Sequence, residues 1–329
     1  MESFAYARPA TQAEALALLG HSFEEAAVLA GGTDLLSLMK NYVVTPKRLV
    51  DIKGVKEFGE ITYSDAGGRR IGATVTLQKL ADDMFQQKDF PGLAAAAAAV
   101  PSMQIRNVGT VAGDLLQRPR CWYFRNGFGL LARDAKGKPL VPGGDNRYHA
   151  ILGNAGPAYF VNPSSLAPVL IALNAEVEIA GGQGVRKVAL EKFYRAPANE
   201  NEREYHLAAD ELLTAVVLPK GADKWTSAIY EVREKQALDW PLAAAAVALR
   251  MEGAIVREAR IVLGHVAPTP WTASKEAARA IEGQPISPER AAKAGEAAVA
   301  AAHPLSGNKY KVQLARVAVK RAILAAGRA

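Results

Sequence analysis

Cysteine is nearly absent from this chain of 329 residues: Cys121 stands alone. A single cysteine excludes a disulfide within the chain and any zinc or iron–sulfur site built from four of its own thiolates. The five histidines, His21, His149, His206, His265 and His303, keep no short metal-ligand spacing, so no metal of the chain's own is expected. Long apolar runs are missing as well. Nothing reaches the roughly 18 to 20 uninterrupted apolar residues of a membrane span, and the alanine tract Ala94 to Ala99 is too short and too weakly apolar. The opening MESFAYARPATQAEALALL has no basic n-region followed by a long apolar stretch. A soluble chain without an export signal of its own is expected. Blocks of like charge are also missing: the net charge of +7 is spread along the sequence. That reads as a solvated basic surface, or a face toward an acidic partner subunit, rather than a nucleic-acid site. The G-x-G-x-x-G turn of dinucleotide enzymes is absent too.

Half of the residues are apolar, and the length suits two or three domains at roughly 100 to 200 residues each. The stretch Ala26 to Lys40, AAVLAGGTDLLSLMK, offers an apolar run, a Gly-Gly turn, a Thr-Asp pair and an amphipathic run. A strand entering a glycine turn and then a helix gathers unpaired N–H groups and the positive end of a helix dipole, where a phosphate can sit. The spacing predicts a helix over 11–19 with Thr11 as N-cap and Glu14 as its capping-box partner. A strand over 47–52, KRLVDI, completes a small βαβ unit. Asp51 ends that strand near where dinucleotide enzymes place a ribose-binding acid, but without the glycine fingerprint no Rossmann site is read.

The pattern restarts at Arg69 with a strand (RRIGATV), a helix capped by Thr76 and a helix from Pro91 to Val100, ended by Pro101. Residues 101–117, PSMQIRNVGTVAGDLLQ, read as a second glycine-rich loop, with Gly109 and Gly113 bracketing Thr110. Residues 118–150 lack periodicity and read as a long irregular loop, functional or mobile. Within it Cys121 lies between Arg120 and Trp122; nearby cations favour thiolate, but no histidine adjoins it in sequence, so a catalytic cysteine is not the preferred reading. A helix over 164–173, strands over 175–180 and 212–218, and a polar surface loop over 196–206 follow. From Gly221 a second domain begins, with strands over 225–233, 242–251 and 255–266 as an antiparallel meander. Pro268 and Pro270 break that pattern, and helices over 272–281, 288–302 and 309–326 close the chain.

These residues together resemble a known family, the flavin-binding medium subunits of the molybdenum hydroxylases, which include xanthine dehydrogenase, aldehyde oxidoreductase and carbon monoxide dehydrogenase. LAGGTDLL at 29–36 resembles the family's first FAD loop. RNVGTVAGDLL at 106–116 resembles the second, usually written with Gly-Gly-Asn where this chain has Ala112-Gly113-Asp114. ARIVLGHVAPTPW at 259–271 and NKYKVQLARVAVKRAIL at 308–324 resemble its C-terminal domain. The resemblance implies an α+β fold: a two-part α/β FAD-binding domain of the molybdopterin-dehydrogenase type over 1–220, with subdomains about 1–55 and 56–220 and an irregular insertion at 117–153. A C-terminal domain over 221–329 is expected as a three-stranded antiparallel sheet packed on helices.

Carried over by position, the resemblance implies that FAD is held by Val28, Leu29, Ala30, Gly31, Gly32, Thr33, Asp34 and Leu35, by Gly109, Thr110, Val111, Ala112, Gly113 and Asp114, and by Leu212. Small residues permit close backbone approach, and Thr33, Asp34, Thr110 and Asp114 offer short polar side chains for cofactor hydroxyls. Two positions depart from the family pattern: Ser165 stands where relatives often have Asp, and Glu231 where many have Lys.

QRPRCWYFR at 117–125 and GDNRYHAILG at 144–153 resemble bacterial aldehyde-oxidoreductase flavin subunits that carry an added [4Fe–4S] cluster in this insertion. Only Cys121 remains here, so the loop is expected to survive without its cluster. Tyr123, Arg125, Tyr148 and His149 are candidates for lining the flavin, with plain loop packing as the alternative. The resemblance implies an oxidoreductase subunit with no catalytic acid or base of its own. A large partner would hold the molybdenum cofactor and oxidise an aldehyde or aromatic heterocycle, a small partner with two [2Fe–2S] clusters would relay electrons, and FAD here would pass them to an external acceptor. The alternatives are a flavin-free assembly subunit and, with less support, a self-contained NAD-dependent oxidoreductase. The expected compartment is the cytoplasm, or the periplasm by co-export with a signal-bearing partner.

Overall fold

The N-terminal part of the chain is a parallel three-stranded sheet. In order come β1 (Ala5–Ala7), α1 (Gln12–Ala17), β2 (Ala27–Leu29), α2 (Leu35–Lys40) and β3 (Arg48–Asp51), and the sheet order is β1-β3-β2 with both pairings parallel. The computed structural model describes residues 1–63, 68–235 and 239–328. Helix α1 starts where Thr11 Oγ1 accepts the Glu14 N–H at 3.2 Å. The Glu14 carboxylate reaches back to the Ala10 N–H at 2.8 Å, one residue before the usual box position. Parallel pairing of β2 with β3 requires a crossover, which places the glycine turn after β2 at the C-terminal end of the sheet.

Next follow β4 (Ile61–Tyr63), β5 (Arg69–Gly72), α3 (Leu77–Asp82), α4 (Met84–Asp89), α5 (Pro91–Ala99), α6 (Met103–Val108), α7 (Val111–Leu115), α8 (Trp122–Arg125), α9 (Leu166–Ala172), β6 (Glu176–Gly181), β7 (Gly184–Ala189), α10 (Leu190–Phe193) and β8 (Leu212–Leu218). Their sheet is antiparallel, in the order β4-β5-β8-β6-β7. Every residue of the central strand β8 is buried, which explains its continuous apolar sequence. The edge strand β7, by contrast, is largely exposed. Its sequence GVRKVA carries the charge typical of an edge and gives no clear periodic signal.

Residues 101–117 are not simply a loop. They form α6 and α7 on either side of Gly109, capped by Ser102 and Thr110, whose Oγ atoms accept N–H groups three residues on at 3.3 Å and 3.1 Å.

The C-terminal part contains β9 (Thr226–Val232), β10 (Ala243–Glu252), β11 (Ile255–Gly264), β12 (Trp271–Thr272), α11 (Lys275–Arg279), α12 (Pro288–Ala298) and α13 (Tyr310–Ala326). Its antiparallel sheet has four strands, not three, in the order β12-β11-β10-β9. The added strand β12 lies just past Pro270 and pairs with Val262 and Leu263, so the helix expected from Thr272 starts only at Lys275. Strand β10 is buried on both faces. Ala246 and Ala248 join the core built around α5, α9 and β8, while Ala243, Ala245, Val247 and Leu249 join a second core with α12 and α13. Alternate residues of one strand therefore belong to two cores, and this sheet ties the halves of the chain together.

Candidate functional site: a cleft between two glycine loops

The two loops singled out from the sequence are in contact. A Cβ on Gly31 would lie 2.0 Å from the Val108 carbonyl oxygen and 3.0 Å from the Gly109 Cα, so only glycine lets the first loop lie against the second. Gly32 follows with φ +71°, the left-handed conformation that turns the chain into α2. The second loop is fixed from below: Leu77 N–H donates to the Gly109 carbonyl at 2.9 Å, Val111 N–H to Val75 at 2.9 Å and Ala112 N–H to Ala73 at 3.0 Å. Among the described residues, no acceptor takes the N–H groups of Gly31 to Leu35 or of Thr110. Free N–H groups converging where two loops touch suit an anion such as a pyrophosphate.

A cleft runs along the contact in two compartments that share Thr33, Asp34, Thr110 and Gly113. The first, about 190 Å³, is lined by Val28, Ala30 to Leu35, Ala112 and Leu212 together with Arg118, Arg203 and Tyr205. The second, about 90 Å³, adds Gly109, Asp114, Ser165, Arg233 and Trp240. Of the expected cofactor residues, Leu29 and Val111 do not line this cleft: Leu29 pairs with Asp51 in the sheet, and Val111 is buried in the core. The rest do line it. The glycine cradle, the free N–H groups and the apolar wall fit FAD.

Two of the expected polar contacts have work within the protein. The Asp34 carboxylate accepts from the Arg118 N–H at 2.9 Å, the Arg120 guanidinium at 2.8 Å and the Arg125 guanidinium at 2.7 Å, anchoring the insertion to the first loop. Asp114 is buried and accepts from Ser164 Oγ, from the Leu166 N–H at 3.1 Å at the start of α9, and from Gln117 at 2.9 Å. Burial pushes its carboxyl up to about 6, against the pull of the Ser164 and Leu166 hydrogen bonds. The two family departures meet each other. Ser165 Oγ donates to Glu231 at 2.7 Å, and Glu231 pairs with Arg233.

The residues that sequence reading missed come from loops: Arg118, Arg203 and Tyr205 in the first compartment, Arg233 and Trp240 in the second. The segment 196–206, read as plain surface, buries Glu204 and Tyr205. Glu204 pairs with Arg118 at 2.7 Å. No periodicity marks such contacts, although the isolated aromatic among charges was a usable hint.

The insertion packs around a small apolar cluster of Leu38, Phe124, Leu130, Leu131, Ala158 and Phe160, with Cys121 at its margin. Burial raises the Cys121 thiol, against the opposing N–H groups of Phe124 and Tyr123, so the adjoining arginines do not make it a thiolate. Structure supplies the histidine that sequence could not: His149 Nε2 lies 3.1 Å from Cys121 Sγ. Tyr123 packs edge-on to Phe128. Arg125 is spent on Asp34 and the carbonyls of Pro119 and Arg118. Tyr148 and His149 line a third cavity adjoining the cleft.

Residues 2–221 match the family described as FAD binding domain in molybdopterin dehydrogenase, and residues 228–326 match the CO dehydrogenase flavoprotein C-terminal domain. The chain is 34% identical to the aldehyde oxidoreductase FAD-binding subunit PaoB of Escherichia coli K12, over 96% of each chain. It is 30% identical to the carbon monoxide dehydrogenase medium chain of Hydrogenophaga pseudoflava, over 98% of this chain and 96% of that one. Among solved structures it matches carbon monoxide dehydrogenase from Hydrogenophaga pseudoflava with a TM-score of 0.75 at 28% identity, covering 99% of this chain and 97% of the other. Quinoline 2-oxidoreductase from Pseudomonas putida 86 matches with a TM-score of 0.76 at 26% identity, covering 99% and 98%.

Proposed function

Because the chain belongs to the FAD-binding medium subunits of the molybdenum hydroxylase family, we propose that it is the electron-transfer flavoprotein of a three-subunit hydroxylase or dehydrogenase. A large partner with a molybdenum cofactor oxidises an aldehyde or aromatic heterocycle in this reading, and a small partner with two [2Fe–2S] clusters relays the electrons. Bound FAD supplies the redox chemistry. The chain's own part is positioning. The N–H groups of Gly31 to Leu35 and of Thr110 receive the pyrophosphate, and Val28 and Leu212 form an apolar wall beside it. Asp34 and Asp114 hold the insertion and α9 in place around that site. No side chain is assigned as a catalytic acid or base.

The observation that carries this reading is the contact of the two loops at Gly31, with unpartnered N–H groups on both sides. The departures at Ser165 and Glu231 leave room for the flavin-free alternative; against it, the two residues pair with each other and Glu231 with Arg233 beside the cleft. In this reading 1–220 is the FAD-binding domain, with subdomains about 1–55 and 56–220, and 221–329 the C-terminal domain. Among the described residues no helix is long and apolar enough to cross a membrane. We assign the complex to the cytoplasm, with co-export alongside a signal-bearing partner as the alternative that cell fractionation decides. Gly31→Val tests the clamp. Its side chain must push the loops apart, so the folded variant should lose FAD affinity by about tenfold or more, and undiminished flavin retention would contradict the assignment.

A further inference from the structure

The third cavity, about 240 Å³, adjoins the second compartment through Arg120, Trp240 and Pro241. Its walls are largely apolar and aromatic, with Trp122, Phe160 and Leu242 beside His149, His265 and Lys311. An apolar cavity of ~150 Å³ accepts benzene, so this one has room for one or two rings. Three buried polar atoms in its wall are left without partners, one each on His149, His265 and Arg120. His265 is 1% exposed and His149 2% exposed, and neither His265 Nε2 nor His149 Nδ1 makes a hydrogen bond. Unpaired buried imidazole nitrogens are costly unless something else meets them.

The surroundings decide what that is. Burial, reinforced by the Lys311 charge, lowers His149 to about 4 and His265 to about 3, so both rings are neutral at ordinary pH and each offers one donor and one acceptor. For His149, Cys121 Sγ lies 3.1 Å from Nε2, and with the protonated thiol as donor to Nε2 the proton of the ring falls on Nδ1. The Asn146 carbonyl favours the charged ring without completing a hydrogen bond to that N–H. Lys311, which burial lowers to about 7, spends its Nζ donors on the carbonyls of Tyr148, His149 and His265, at 3.2, 3.1 and 2.8 Å; the Arg120 guanidinium in the same wall adds positive charge, with its Nε unpaired. A cation is therefore unwelcome. Glu234 and Asp239 in the same wall disfavour a full anion. An uncharged planar molecule with carbonyl lone pairs remains.

We propose that this cavity binds a one- or two-ring aromatic carbonyl compound of the quinone class, its ring among Trp122, Trp240 and Phe160 and a carbonyl oxygen taking the hydrogen bond that His149 leaves open. Joined to the electron-transfer reading above, on which this second part rests, the occupant is an electron acceptor. Its two carbonyls take up two electrons, supplied by the complex's substrate oxidation, and two protons from water, and become the hydroxyls of a hydroquinone.

The test uses the full-length, flavin-loaded chain and follows quenching of tryptophan fluorescence by duroquinone, whose fully substituted ring Cys121 cannot attack. Durene, the same skeleton without carbonyls, is the control. Saturable, reversible binding of duroquinone at least about tenfold tighter than durene is expected, one hydrogen bond's worth of preference. Val161→Phe, which fills the cavity from its wall, should weaken it by about tenfold or more with FAD content unchanged. Leu242→Phe gives the same test from another segment should the first variant not fold. Equal affinity for durene, no saturation, indifference to both fillings, or displacement of duroquinone when FAD is added to flavin-depleted protein would each overturn the site. Flavin content is measured separately. A flavin-free chain that still binds duroquinone contradicts the proposed function and leaves the site standing, whereas a flavin-loaded chain that does not bind it contradicts the site alone.

Discussion

A carboxylate that looks like a ligand can be a structural anchor, and Asp34 and Asp114 are both of that kind. Asp34 holds two guanidinium groups and a backbone N–H of the insertion. Asp34→Asn should therefore loosen residues 118–126, seen as faster amide hydrogen exchange there, while FAD is retained; loss of FAD with the insertion still protected would point instead to direct cofactor contact. Asp114 caps α9 from a fully buried position. Its carboxyl sits at about 6 against an ordinary 3.8 because burial disfavours the charge. Below about pH 4 it is neutral whether the chain is folded or not. Between about 4 and 6 the unfolded chain ionises while the folded one keeps its proton, so stability falls as pH rises through that window and stays lowered above it. At about 1.4 kcal/mol per tenfold change in proton affinity, the cost at neutral pH is about 3 kcal/mol. Asp114→Asn keeps an oxygen for Ser164 and Leu166 and matches the residue usual in the family. Denaturation at pH 4 and pH 7 should show the variant gaining stability at pH 7 only. The two glycine turns that meet at Gly31 and Gly109 were legible because such turns leave a local signature. The burial of Asp114 was not, since it depends on Ser164 and Leu166, some fifty positions away.

Single elements were legible where one face or one cap decided them. Strand β8 has its expected bounds, and α1 and α3 start at Thr11 and Thr76 as their side-chain caps require. Strand β7 and helix α4 were missed, the one a charged edge, the other a short helix capped by Asp83, whose carboxylate accepts the Gln86 N–H at 2.9 Å. The insertion is the clearest case of an element whose order comes from elsewhere. It is fastened by Arg118 to Glu204, by Glu200 accepting the N–H groups of Leu130 and Leu131 at 2.7 and 2.9 Å, and by Asn308 and Lys311 donating to carbonyls at its end. Glu204→Ala leaves a buried guanidinium unpaired and should cost about 3–5 kcal/mol, measurable as a shift in the denaturation midpoint; an unshifted midpoint would mean that Arg118 finds water instead. Lys311→Met strips three carbonyls of their donor, two of the contacts buried, with an expected loss of ~1–3 kcal/mol. Nothing in the sequence around Lys311 marks it as buried.

Over the whole molecule, the sheet of β9 to β12 is covered on both sides, and the alanines of β10 divide between the two cores. Small residues there allow close approach of α13 on one side and α9 on the other. Val247→Phe, directed into the second core, should therefore destabilise by about 1–3 kcal/mol, with cooperative loss of both halves in one thermal transition rather than two. The candidate cleft draws on both halves as well: Gly31 and Gly109 come from the first, Arg233 and Trp240 from the second. Whether these parts form a flavin site is read from the FAD content of the purified full-length chain after equilibration with FAD and removal of the excess. A yellow protein holding one FAD per chain is expected; a correctly folded, colourless chain that takes up none would overturn the assignment.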